Sequence, residues 1–228
     1  MDGIPPKQIS ALLFDLDGTL MDTDDQAVEK LVSRLARLRI SDPQRTARRL
    51  IMAAETPGNL LMTALDIVGL DRATMEFTNR LRRWRGLQAA PKFRLIANGE
   101  EMLAALSPHY RLAIVTTRGR DEAQAFLDQH GLHAFFEVII TRESTWRLKP
   151  HPAPIRRAAQ ELGVPVTACA MVGDTTVDMR SARRARAWAI GVLCGFGERA
   201  ELERAGAHIV LEHTAMLPSI LSARMPPD

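Results

Sequence analysis

The sequence predicts an α/β protein: a parallel sheet covered by helices on both faces, with an all-helical insert after its first strand. Three observations carry this. A short apolar run, Ala11-Leu12-Leu13-Phe14, stands near the start; only helical spacing follows between residues 22 and 95; and from residue 96 onward short apolar runs alternate with amphipathic segments. Strands buried on both faces read as continuous apolar runs, so the alternation implies a parallel sheet sandwiched between helices. At 228 residues, 46% hydrophobic and 25% charged, the chain has the length and apolar content for a sizeable core and is not a disordered chain.

The elements follow in order. Residues 11–14 form the first strand. In the insert, Val28, Leu31, Val32, Leu35 and Leu38 recur at helical spacing until Ser41-Asp42-Pro43 stops them, and Leu50/Ile51, Leu60/Leu61/Leu65 and Phe77/Leu81/Trp84 mark three further helices. No convincing strand is expected between 22 and 95. A helix over 100–106 then precedes a strand over 112–115, and a helix over 121–130 ends at Gly131, a residue suited to the left-handed turn that closes helices. A strand over 135–140, a helix over 152–162, a strand over 168–172 and a helix over 178–185 come next. A strand over 188–193, a helix over 200–205 and a short strand over 209–211 complete the alternation. The expected domains are thus a Rossmann-like core, residues 1–21 and 96–228, and a helical insert, 22–95.

Several function classes are excluded by composition. Two cysteines, Cys169 and Cys194, cannot form a disulfide framework for a chain this long, and both read as inert core thiols. No run approaches the ~20 apolar residues of a membrane span, and no signal peptide is recognised, so a cytoplasmic setting is expected. The formal charge is +3 and the pI about 9.2, but the insert carries 14 basic against 9 acidic residues and the core 16 against 18. The basic excess therefore belongs to the insert, and a nucleic-acid partner is not expected.

In open parallel sheets, sites form at the carboxyl ends of the strands. The residues that follow each strand are Asp15-Leu16-Asp17-Gly18-Thr19, then Thr116-Thr117-Arg118, then Lys149 in Arg147-Leu148-Lys149-Pro150, then Gly173-Asp174-Thr175-Thr176-Val177-Asp178. Carboxylates Asp15 and Asp174, facing each other, repel unless a hard cation lies between them, and Mg²⁺ favours such all-oxygen sites completed by water and phosphate. Asp15 can then attack phosphorus to give an aspartyl-phosphate. Asp17, two residues on, can protonate a leaving alcohol and later accept a proton from water. Gly18 permits a tight turn off the strand, while Thr116 and Lys149 can hold the non-bridging oxygens where transition-state charge spreads. Gly191, Gly195 and Gly197 lack the spacing of a nucleotide-binding loop and read as turn glycines.

These four segments, with Phe14 and Leu20 around the first, Ile114-Val115 before the second and His151-Pro152 after the third, resemble the four ordered motifs of the haloacid dehalogenase-like (HAD) hydrolases. The likeness continues through Gly195-Phe196-Gly197 and Glu201-Leu202-Glu203-Arg204-Ala205-Gly206-Ala207, as in the phosphoglycolate phosphatase-like branch. The resemblance implies that Asp15 is the nucleophile and a ligand of Mg²⁺. It implies that Asp17 is the general acid/base, giving the metal its backbone carbonyl, and that Thr116, Thr117, Lys149 and Gly18 surround the phosphoryl group. It makes Asp174 a direct metal ligand and Asp178 one acting through water or a hydrogen bond. The insert occupies the place of that family's helical cap. Asp17 distinguishes phosphate-ester hydrolysis from carbon–halogen cleavage, whose catalysts do not keep this residue. The expected function is a phosphatase acting on a small, anionic phosphorylated metabolite. The alternatives are a sugar phosphomutase on the same core or a non-catalytic phospholigand- or protein-binding domain.

Overall fold

A computed structural model describes residues 9–22 and 93–222. The helices expected within the insert lie outside the described residues. The strands are β1 (Ala11–Phe14), β2 (Met21–Asp22), β3 (Arg94–Leu95), β4 (Arg111–Val115), β5 (Val138–Ile140), β6 (Cys169–Gly173), β7 (Trp188–Val192) and β8 (Ile209–Leu211). The α-helices are α1 (Gly99–Leu106), α2 (Arg120–His130), α3 (Ala153–Glu161), α4 (Thr176–Ala185), α5 (Arg199–Arg204) and α6 (Leu217–Ser222).

Six strands form one parallel sheet in the order β5-β4-β1-β6-β7-β8. All four residues of β1 are fully buried, which is why that strand shows no alternation. Their side chains divide between two cores. Leu12 and Phe14 join Leu112, Ile114 and Val172 beneath α1, α2 and α6, through Leu103, Phe126 and Leu217. Leu13 joins Ala113, Val115 and Met171 beneath α3, α4 and α5, through Ile155, Met179 and Leu202. A helix-covered sheet is thus what the continuous apolar runs encode. Among the described residues, no helix is long and apolar enough to cross a membrane.

The structure corrects the sequence reading at the insert's base and at one strand. Met21–Asp22 pairs antiparallel with Arg94–Leu95, Met21 opposite Leu95 and Asp22 opposite Arg94, so strand occurs at both edges of a region expected to be helical throughout. Two residues per strand are too few to show a period. The strand expected over 135–140 is reduced to Val138–Ile140, because His133–Phe135 closes as a 3₁₀ turn after α2. A C-terminal helix, α6, was not expected; its Leu217 and Leu221 cover the same core as α1.

Order in the sheet positions the site. From β1 the chain passes to β4 and β5 on one side, then returns to β6, β7 and β8 on the other. The carboxyl ends of β4, β1 and β6 therefore flank a switch point, where connections depart in opposite directions and leave a crevice.

Candidate active site

Immediately after β1, Asp15 is held by its neighbours. Its Oδ1 accepts from the Leu16 backbone N–H at 2.8 Å and lies 2.9 Å from Lys149 Nζ, and neither contact uses Oδ2. The chain then turns sharply, with Gly18 at φ 64 and the N–H groups of Thr19, Leu20 and Met21 all converging on the Leu16 carbonyl. Gly18 is required here for two reasons. The backbone is left-handed, and a Cβ would lie 2.3 Å from Asp174 Oδ2.

Asp174 follows β6 and is completely buried. Its Oδ2 accepts from the Phe196 N–H at 2.8 Å, and its Oδ1 faces the Thr19 hydroxyl at 3.5 Å. Gly195 closes over this carboxylate: a Cβ there would lie 2.0 Å from Oδ2, and one on Gly197 would lie 2.1 Å from the Asp174 carbonyl oxygen. These glycines do more than turn the chain, contrary to the sequence reading. They let the loop after β7 wrap Asp174 at backbone distance.

The first turn of α4 supplies Asp178. Thr175 caps the helix reciprocally: its Oγ1 accepts from the Asp178 N–H, while its own N–H and hydroxyl donate to Asp178 Oδ2 at 3.2 and 2.6 Å. The other oxygen, Oδ1, receives Lys149 Nζ at 2.6 Å. Lys149 also donates to the Val115 carbonyl at 2.9 Å and is only 2% exposed, so the ammonium is fixed between two carboxylates at the end of β4. Thr116, equally buried, accepts the Arg118 N–H on its Oγ1, and Thr117 is half-buried beside it.

Electrostatics follow from this crowding. Burial pushes the Asp15 carboxyl up to about 7; Lys149 pulls it down, while the neighbouring Asp178 and Asp17 charges add to the rise. Burial opposes the Lys149 ammonium, but Asp15 and Asp178 outweigh it and raise its pKa above the ordinary lysine value. Lys149 pairs with Asp15 and Asp178, and with Asp174 these make a cluster of three buried carboxylates whose oxygens lie within 4.8 Å of one another. The donor set is all oxygen, and the glycine cradle keeps Asp174 free of crowding side chains. That chemistry fits a hard divalent cation. Asp17 stands outside this carboxylate cluster.

Asp17 instead meets a residue to which the sequence reading gave no role. Arg118 Nε and Nη2 donate to Asp17 Oδ2 and Oδ1, each at 2.7 Å, in a two-pronged pair. The same guanidinium lies 5.7 Å from the centre of the Phe93 ring, just before β3. Position was the available signal, since Arg118 directly follows the strand-end threonines. Phe196 and Thr19, likewise without an assigned role, act on Asp174 through a backbone N–H and a hydroxyl.

This chain is similar to several known proteins. A family model described as haloacid dehalogenase-like hydrolase matches residues 12–192. A phosphoglycolate phosphatase of Cupriavidus necator is 31% identical, with 96% of each chain covered. The pyrophosphatase PpaX of Bacillus velezensis is 28% identical over 82% of this chain and 84% of its own. Among solved structures, a hydrolase from Pseudomonas syringae superposes with a TM-score of 0.67 at 28% identity, covering 95% of this chain and all of that one.

Proposed function

Because the chain belongs to the haloacid dehalogenase-like hydrolase family, we propose that it is a Mg²⁺-dependent phosphatase that hydrolyses a small phosphorylated metabolite. The observation that carries this reading is the buried Asp15–Lys149–Asp178 array beside Asp174, with Asp17 two residues beyond Asp15. Asp15, Asp174 and Asp178 would hold the ion, with the Asp17 carbonyl as a further donor. Bound there, Mg²⁺ supplies positive charge that offsets repulsion between the carboxylates and the phosphoryl oxygens.

The chain's own groups account for the reaction. Asp15 Oδ attacks phosphorus, and the bond from phosphorus to the leaving oxygen breaks. That oxygen keeps the electron pair and takes a proton from Asp17. Lys149, the Thr116 hydroxyl and the backbone around Gly18 and Thr117 orient the phosphoryl oxygens. In the second half, water attacks phosphorus, gives a proton to the Asp17 carboxylate and releases Asp15 with inorganic phosphate. For Asp17 to reach the leaving oxygen, its pair with Arg118 must open. Residues 22–95 would be the cap over this crevice, and their basic surplus favours an anionic substrate.

Phosphoglycolate and pyrophosphate enter as candidate substrates from the names of the relatives. The test is phosphate release from an aryl phosphate and from a panel of phosphorylated metabolites, with Mg²⁺ or with EDTA. Wild-type protein should turn over only with the metal, and Asp15→Asn should lower kcat by about 10³-fold or more. Equal rates for wild type and Asp15→Asn would remove Asp15 from the nucleophile's role.

A further inference from the structure

At the opposite end of the sheet from the crevice, where β7 begins, lies a cavity of about 380 Å³ lined by Thr167, Arg183, Arg186, Ala187, Trp188 and His208. Its lining offers two guanidinium groups, an imidazole, an indole and a hydroxyl, and it contains no carboxylate. Among the described residues, neither Arg183 nor Arg186 has an ion-pair partner. Both arginines lie at the end of α4, and basic residues at a helix end ordinarily answer its unpaired carbonyls. Here other groups already do so. The Arg186 N–H bonds the Ala182 and Arg183 carbonyls, the Ala187 N–H bonds that of Ala182, and Arg156 reaches that of Arg184. The guanidinium groups of Arg183 and Arg186 are not used in closing the helix.

A second observation concerns the donors around His208. His208 Nδ1 accepts the Ala189 backbone N–H at 2.9 Å, so a neutral ring carries its proton on Nε2. Burial and the nearby Arg183 charge hold this imidazole below its ordinary pKa, in keeping with that neutral form. Yet Nε2 faces Arg183 Nη1 at 2.5 Å, so donor meets donor. The Arg183 stem packs over Gly206, where a Cβ would lie 2.6 Å from the Arg183 Cγ. Both groups thus offer N–H donors to the same part of the cavity, where an anionic oxygen can accept from each. Arg186 adds reach: it adopts φ 68, where glycine is favoured, yet it carries a long cationic side chain into the lining.

We propose that this cavity is a second binding site, separate from the catalytic crevice, for a small anion bearing a phosphate group. Arg183 and His208 would donate to one oxygen, Arg186 and the Thr167 hydroxyl to others, with Trp188 forming an apolar wall. Two sources share this chemistry, free phosphate and a nucleoside monophosphate whose base packs on the indole.

The test follows the indole N–H resonance of Trp188 by NMR, identified by its loss in Trp188→Phe. Inorganic phosphate or AMP is titrated in EDTA, where no turnover occurs. The expected result is a saturable shift that is weakened about tenfold or more in both Arg183→Ala and Arg186→Gly. Arg186→Gly leaves the left-handed backbone position to the residue that favours it, so loss of binding there is not loss of fold. Asp15→Asn should retain the shift, and both arginine variants should keep wild-type hydrolysis. AMP binding about tenfold tighter than phosphate would identify a nucleotide as the source, and equal binding the phosphate group alone. No saturable shift with either probe, or full affinity in both arginine variants, overturns the proposal.

Discussion

Lys149 is the residue on which the crevice depends. Its ammonium is buried against Asp15 and Asp178, and removing one member of such a group leaves an uncompensated charge in a place that water does not reach. Asp178→Asn should therefore cost about 3 kcal/mol in urea-induced unfolding, because it weakens both the ion pair and the cap of α4. The raised pKa of Asp15, from 3.8 to about 7, sets a pH dependence. Between those values the folded protein binds more protons than the unfolded chain, so in EDTA this group's contribution to stability declines as pH rises from about 4 to about 7. Ion binding reverses the trend, since it needs the carboxylate. Titrating Mg²⁺ at pH 6 in weak buffer should release close to one proton per protein, and at pH 8.5 almost none. Equal release at both values would place the proton elsewhere. Asp15, Asp17, Thr116, Asp174 and Asp178 were legible in the sequence because each stands just beyond an apolar run or in the first turn after it, whereas Lys149, nine residues past β5, was legible only through the motif around it. Arg118 was not. Its role arises from the distance between two strand ends, and sequence spacing carries no such information.

At the level of elements, the loop after β7 shows how a backbone can serve a side chain. Gly195 leaves no room for a methyl group beside Asp174, and Phe196 donates to that carboxylate from the next residue. Gly195→Ala should lower Mg²⁺ affinity about tenfold or more, read by calorimetry, and reduce stability by about 1–3 kcal/mol as the loop moves away. Unchanged Mg²⁺ binding would mean that the loop's approach is not what shapes the site. Sequence periodicity located the sheet strands and the helices up to α5 because each buries an apolar run or stripe. It failed where burial does not set the pattern. His133–Phe135 turns because α2 has just ended at Gly131, and the two-residue β2–β3 ribbon is defined by pairing alone. α4 stops without glycine at its end, in a left-handed Arg186, so the usual stop signal is absent.

Across the whole molecule, the sheet separates two regions of opposite character. Carboxylates gather at the strand ends of β1, β6 and α4's start, while cations collect at the far end of α4 around Trp188 and His208. The same helix carries Asp178 at one end and Arg183 near the other, about 7.5 Å apart along its axis at 1.5 Å per residue. The charge asymmetry was partly readable, since the core is acidic in total. The cationic cavity was not, because Thr167, Arg183 and His208 are brought together only by the parallel pairing of β6, β7 and β8.

The β2–β3 ribbon has one more consequence. Asp22 and Arg94 are opposite one another, so the chain returns to within one pair of where it left. A segment grafted at such a point asks nothing of the scaffold that receives it, since its two ends already meet. The remainder should tolerate excision: joining Asp22 to Phe93 by Asn-Gly, so that a three-residue loop links the paired Asp22 and Arg94, should yield a shortened protein that still unfolds in one cooperative step. Loss of that single transition would mean that the scaffold relies on the segment it carries. Seen this way, the ribbon is a socket: it fixes where the chain leaves and rejoins the sheet, whatever length of chain runs between.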